Sequence, residues 1–399
     1  MVQLRPHQED ILLALENNIK GQVISPTGSG KTMCMIKSTE KEFNSAKWDL
    51  VNKDCDRKTV VIVAPRILLA AQLSSEFIKN LKVNPMLDYK VLHVHSGETH
   101  HFSTTDSDTI KQWSEEYYRF NKLIFTTYHS LNRIQESKID VDTVYYDEAH
   151  NSVAKNFFPA VEHYSEEAEK TYYFTATPKH SLTINKPGMN DSEIYGDVLI
   201  NVPAPKLVER GHILPPKVIV REIDVDDGFI NESQHIIDTI DEVDVNKVLI
   251  CARSTKQIVK LASDKFVDEL SYRGYSLMYI TSKTGAFIDG LKVDREKFFD
   301  VLNTWGQDVE KKFIVLHHSI LSEGISVRGL EAALLLRNMD VITLSQTIGR
   351  VIRTANNKTY GLVVVPSWDK VGISTSKKLN NVVETVFDKG EPATSIITR

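Results

Sequence analysis

Ser25-Pro-Thr-Gly-Ser-Gly-Lys-Thr32 follows the apolar run Gln22–Ser25 and opens a stretch of helical character, Lys31–Phe43. A glycine-rich turn between strand and helix can curl its backbone N–H groups around an anion, and the helix start adds partial positive charge. With Lys-Thr at its end, the turn has the spacing of a phosphate-binding loop. Gly28 and Gly30 give the curl, and Pro26, Thr27 and Ser29 complete the cradle. Lys31 is placed to reach the β- and γ-phosphates, and the Thr32 hydroxyl to ligate Mg²⁺. The frequent form of this motif begins with glycine; Ser25 stands there and is small enough for the turn. The alternative is an ordinary strand-to-helix turn, and the Lys-Thr pair argues against it.

Outward from this loop, short apolar runs alternate with amphipathic stretches, the pattern of parallel α/β sheets. Strands are expected at Gln22–Ser25, Thr59–Ala64, Lys90–Val94, Lys122–Phe125, Asp142–Tyr146 and Thr171–Phe174. The second half repeats the style at Lys217–Val220, Lys247–Cys251, Leu277–Ile280, Lys312–Leu316, Ala332–Leu336 and Gly361–Val365. Helices are expected at Lys31–Phe43, Leu68–Lys79, Lys256–Leu270, Arg295–Asn303, Thr343–Ile352 and Lys377–Lys389. The segment Asn201 to Pro216 holds four prolines and a glycine and reads as a linker. Two α/β domains follow, 1–205 and 206–399, and the 399-residue length agrees with that number.

With 41% apolar and 25% charged residues, the composition is that of a globular chain. No run of 18 apolar residues occurs, so no membrane helix is expected. MVQLRPHQED has no apolar core, so no secretory signal is expected either. Three scattered cysteines fit a reduced, cytoplasmic chain (the host's cytoplasm if phage-encoded) and give no zinc or disulfide framework. The net charge of −5 confines any nucleic-acid contact to a local basic surface.

A phosphate loop alone serves kinases, switches and motors, so a second carboxylate motif decides. Val144-Tyr-Tyr-Asp-Glu-Ala-His150 ends a strand, with Asp147 116 residues after Lys31. Asp147 can hold Mg²⁺, and Glu148 can take a proton from an attacking water. Acidic residues also cap helix starts, but the pairing with the phosphate loop favours chemistry.

Asp-Glu-Ala-His, followed by Thr175-Ala-Thr177, resembles motifs II and III of the superfamily-2 DEAH-box helicases and translocases. Further motifs of that family follow in order. Leu4-Arg-Pro-His-Gln8 resembles the upstream glutamine motif, Ala64-Pro-Arg66 motif Ia, and Thr126-Thr-Tyr128 a nucleic-acid-contacting turn. Val248–Ser254 is similar to motif IV, Ser322–Val327 to motif V, and Gln346-Thr-Ile-Gly-Arg-Val-Ile-Arg353 to motif VI. The compact build is similar to UvsW-type phage and restriction-subunit helicases.

This resemblance implies two tandem RecA-like domains, each a mainly parallel sheet flanked by helices, with ATP and Mg²⁺ in the cleft between them. It implies nucleotide contacts at Arg5, Gln8, Pro26 to Thr32, Asp147, Gly324 and Gln346. Thr32 and Asp147 are the implied metal ligands. Arg350 and Arg353, three apart on an expected helix, are implied to reach the γ-phosphate from the second domain, with Lys31 and Glu148 as the other catalytic groups. Nucleic acid is implied to contact Pro65, Arg66, Thr126, Thr127, Arg253 and Ser254. Thr175 and Thr177 are implied to link the two sites. Motif V carries Ser326 where the family usually has Asp or Asn, which leaves Gly324 as the better-supported contact there.

The expected function is an ATP-dependent DNA helicase or translocase acting on single-stranded or branched DNA. The alternatives are an RNA helicase and a nucleic-acid-regulated ATPase motor subunit without strand separation. A protein partner is compatible with either. His93, His95, His100 and His101 do not have zinc-box spacing and are expected at the surface. Trp113–Phe120 could stack bases but is expected as a half-buried helix.

Overall fold

The computed structural model describes the chain except for residues 1–2, 46–47, 50–53, 56, 98–100, 223–231, 282, 319–328, 356–357, 368–369 and 399. It divides into two compact units: Met1–Pro26 with Gly30–Val202 and Thr394–Arg399, and Pro203–Ala393 with Thr27–Ser29.

The first unit is built on β1 (Lys20–Ile24), β2 (Thr59–Ala64), β3 (Tyr89–Val94), β4 (Asn121–Thr127), β5 (Thr143–Asp147), β6 (Lys170–Thr175) and β7 (Val198–Asn201). They pair in the order β7-β1-β6-β5-β2-β4-β3, every pair parallel. Strands β2, β4 and β5 are buried along their whole length. That is why they read as unbroken apolar runs: a parallel sheet covered on both faces offers no polar side. One covering core joins Val61, Val63, Ile124, Tyr128, Val144, Tyr146 and Tyr173.

The second unit holds β8 (Pro216–Glu222), β9 (Lys247–Cys251), β10 (Tyr275–Thr281), β11 (Gly285–Ile288), β12 (Leu291–Val293), β13 (Lys312–His317), β14 (Ala332–Leu335) and β15 (Gly361–Ser367). Their order is β8-β15-β14-β9-β13-β10-β11-β12, parallel from β8 to β10. β11 and β12 add an antiparallel hairpin at one edge, closed by Asp289-Gly290. The expected class, α/β with mainly parallel sheets flanked by helices, holds in both units.

Four details differ from the sequence reading. The Asn201–Pro216 segment is not all linker: Asn201 ends β7, and Ala204–Glu209 is a helix with proline in its first turn. Proline there removes an N–H that has no helical partner anyway. The stretch Lys256–Leu270 is two helices, Thr255–Leu261 and Asp264–Tyr272, the second capped by Ser263. The last long helix runs Lys370–Val383 and widens into a π turn over Glu384–Asp388. Finally, the carboxyl end leaves the second unit: Ser395–Ile397 pairs with Lys179–Ser181 of the first, so the division at 205 and 206 omits this return.

Candidate active site

Parallel strands deliver their following loops to one edge of a sheet, and the candidate residues of the first unit gather there. β6 lies between β1 and β5, with Thr175 opposite Ile24 and Phe174 opposite Asp147. The phosphate loop, Thr175 and the carboxylate pair therefore stand on neighbouring strands.

Gly28 and Gly30 take φ of 87° and 90°, a backbone region that side chains disfavour. A Cβ on Gly30 would also come within 2.4 Å of the Gln8 amide nitrogen. Gln8 is buried on the helix Pro6–Glu16, which Arg5 caps; its Oε1 accepts from the Arg5 N–H at 2.9 Å and its Nε2 donates to Gly30 O at 3.2 Å. Lys31 opens the helix Lys31–Asn44, followed by Thr32, and its Nζ donates to Ser25 O at 3.0 Å and Pro26 O at 3.4 Å.

Asp147 and Glu148 are both buried. Burial, then the adjacent Glu148 charge, push the Asp147 carboxyl up to about 7, while Lys31 pulls the other way. Glu148 Oε2 has no hydrogen-bond partner among the described residues and lies 3.6 Å from His150 Nδ1. That same nitrogen is 3.1 Å from the Thr175 hydroxyl and 3.2 Å from that of Thr177. The imidazole thus joins the carboxylate pair to the Thr175–Thr177 turn. The Asp147 carboxylate and the Thr32 hydroxyl are hard oxygen donors, the chemistry that Mg²⁺ takes.

The expected nucleic-acid residues of this unit lie at the same sheet edge. Pro65 and the exposed Arg66 follow β2, Arg66 capping the helix Ile67–Asn80. Thr126 and Thr127 end β4 but are buried, their hydroxyls bonded to Val94 O at 2.9 Å and Ser130 Oγ at 3.4 Å. Only their turn, not their hydroxyls, is offered outward.

In the second unit Arg253 and Ser254 follow β9. Ser254 caps the next helix, and the exposed Arg253 donates from Nε to Leu336 O at 2.7 Å and lies 3.5 Å from Glu232. Gln346 and Arg350 are both buried on the helix Val341–Val351, four residues apart and so on one face, which excludes a solvated stripe. Arg353 is not on that face: the helix closes at Ile352, so it stands one residue past the cap. Gly324 and the rest of Ser322–Val327 lie outside the described residues, as does His100.

The histidines correct the surface expectation. His93 and His95 are buried, 3.2 Å apart between Nδ1 and Nε2, and His93 reaches Ser74 Oγ at 3.0 Å and stacks on His101. The helix Ile67–Asn80 covers the edge strand here. Burial, then the charges of His101 and His95, hold His93 down to about 3. No metal-binding cluster occurs among the described residues. In the aromatic stretch the helix Ser107–Glu116 stops short of Phe120; Trp113 packs on the core and Tyr118 is exposed. Sequence reading missed two groups at the carboxylates: Tyr128, whose hydroxyl joins two strand ends 19 residues apart, and Asn151, which bonds back to Glu148 O three residues before it. No described helix is long and apolar enough to cross a membrane.

Residues 1–180 match the family of the type III restriction enzyme res subunit. No curated protein matches the chain in sequence. Among solved structures it is similar to an ATP-dependent type ISP restriction-modification enzyme, LlaBIII, bound to DNA: TM-score 0.74, 19% identity, covering 100% of this chain and 31% of that one. The chain therefore spans about a third of that enzyme's length. It is also similar to Mss116p bound to single-stranded RNA and AMP-PNP (TM-score 0.65, 18% identity, 100% and 75% covered). A third likeness is to a putative HsdR subunit of a type I restriction enzyme from Vibrio vulnificus YJ016 (TM-score 0.60, 14% identity, 98% and 67% covered). These likenesses show the RecA-like fold, and with the res-subunit match over residues 1–180 they make the chain similar to superfamily-2 helicases.

Proposed function

We propose that this protein is a nucleic-acid-dependent ATPase that couples hydrolysis to movement on, or remodelling of, DNA. The observation that carries the reading is the placement of Lys31, Asp147, Glu148 and Thr175 at one edge of three neighbouring strands. The phosphate loop holds the nucleotide through its N–H groups and Lys31, and Gln8 faces its adenine end. Thr32 and Asp147 would hold Mg²⁺, which would supply neutralisation of phosphate charge. Glu148 accepts the proton of the attacking water; its buried Oε2 has no hydrogen-bond partner among the described residues. Gln346, Arg350 and Arg353 serve the γ-phosphate from motif VI; a Cβ on Gly28 of the phosphate loop would lie 3.7 Å from Arg353 Cγ. His150 with Thr175 and Thr177 carries the influence of bound nucleic acid to Glu148.

DNA is preferred over RNA because the family matching the first 180 residues is a restriction-enzyme subunit. Arg66, Arg253 and Ser254 supply contacts to the sugar-phosphate backbone, which carry no sequence code. The test is steady-state ATPase activity alone and with single-stranded DNA, forked DNA or RNA, with Lys31→Ala as the inactive reference. Stimulation by DNA supports the reading; stimulation by RNA alone moves the protein to RNA; no stimulation by either overturns it.

A further inference from the structure

Four described non-glycine residues adopt left-handed backbone: Lys138, Glu148, Asp244 and Asp289. Three are exposed in turns, and Glu148 alone is buried. An L-residue avoids this region unless its surroundings impose it, so what holds Glu148 there also aims its carboxylate.

A residue's φ and ψ are set by the two peptide planes beside it. The plane before Glu148 carries the Asp147 carbonyl, which accepts the buried Tyr128 hydroxyl at 2.9 Å. The plane after it carries the Glu148 carbonyl, which accepts from Asn151 Nδ2 at 2.9 Å and from the Asn151 N–H at 3.0 Å. Tyr128 is itself fixed: its N–H donates to Ala64 O at 3.2 Å, and its ring packs 6.1 Å from Tyr146 and 5.7 Å from Phe157. It follows Thr127 directly and is bonded to the residue before Pro65, so it ties the outward turns of β2 and β4 to the carboxylate peptide.

We infer that Tyr128 is a positioning residue for hydrolysis: its hydroxyl, with Asn151 on the other side, fixes the peptide planes that aim the Glu148 carboxylate. The inference rests on the proposed ATPase. Tyr128→Phe keeps the ring and removes only the hydroxyl, freeing the Asp147–Glu148 peptide to rotate. Tyr146→Phe is the matched control, since the Tyr146 hydroxyl is buried in the same ring cluster with no hydrogen-bond partner among the described residues.

The experiment is DNA-stimulated steady-state ATPase activity of wild type, Tyr128→Phe, Asn151→Ala and Tyr146→Phe, with nucleotide affinity measured directly. Tyr128→Phe is expected to lose about tenfold in kcat, the effect of misplacing a general base, with ATP affinity within about twofold. Asn151→Ala is expected to behave alike, and Tyr146→Phe to keep wild-type kcat. A Tyr128→Phe kcat within twofold of wild type, or an equal loss in Tyr146→Phe, overturns the inference while the ATPase stands. A wild type without DNA-stimulated hydrolysis overturns both.

Discussion

The imidazole of His150 lies 3.1 Å from the Thr175 hydroxyl, joining two strand ends that are 25 residues apart in sequence. Because the same nitrogen faces Glu148, a shift of the Thr175–Thr177 turn must be felt at the carboxylate. His150→Ala is therefore expected to lower DNA-stimulated kcat by about tenfold while the unstimulated rate falls much less. Measuring both rates checks it; equal losses would leave His150 a packing residue.

Arg350 sits buried on the face of Val341–Val351 that also carries Gln346. An arginine acting on γ-phosphate charge in the transition state contributes to kcat far more than to binding. Arg350→Ala should lower kcat by about 100-fold or more, with nucleotide affinity changed only a few-fold. Steady-state ATPase with direct nucleotide binding separates the two, and unchanged kcat in Arg350→Ala would remove motif VI from the chemistry.

Gln8 donates to Gly30 O, so its amide stabilises the phosphate loop, and in the proposed function it also faces the base. Gln8→Ala is expected to raise the KM for ATP by about tenfold and to narrow the preference for ATP over GTP. Competition assays with the two nucleotides test this, and an unaltered preference would confine Gln8 to the loop.

Much of this site was legible because its signals are local. The loop Ser25–Thr32 and the Asp147–Glu148 pair combine residue type with spacing over a few positions, and the burial of β2, β4 and β5 made their strands plain. What escaped depends on partners distant in sequence. The Tyr128 hydroxyl reaches Asp147 only because β2 lies between β4 and β5 in the sheet. His93 alternates on a strand as a surface residue might, yet the Ser74 helix covers it. Pro205 reads as a helix breaker unless one knows that it stands in the first turn.

His93 has a consequence for stability. Its folded pKa of about 3 lies below its ordinary value of 6.5. Above that ordinary value both folded and unfolded states are neutral there, and the group adds no pH dependence. As pH falls below it, the unfolded chain takes up a proton that the folded one refuses, so stability is lost, by up to about 1.4 kcal/mol per pH unit. His93→Gln should lower the unfolding midpoint at pH 7, but the gap to wild type should narrow by pH 5. Calorimetry at the two values checks it, and a constant gap would mean that His93 is not held neutral.

In the proposed function Glu148 is the general base of a nucleic-acid-driven ATPase whose nucleotide is held by the loop at Lys31. Glu148→Gln keeps size and hydrogen bonding but cannot accept the proton. The most direct measurement is single-turnover hydrolysis of bound ATP by wild type and Glu148→Gln, with and without saturating DNA, beside their nucleotide affinities. Affinity is expected within a few-fold of wild type, with hydrolysis slowed by about 100-fold or more and little recovery on adding DNA. Hydrolysis at the wild-type rate in Glu148→Gln would contradict it.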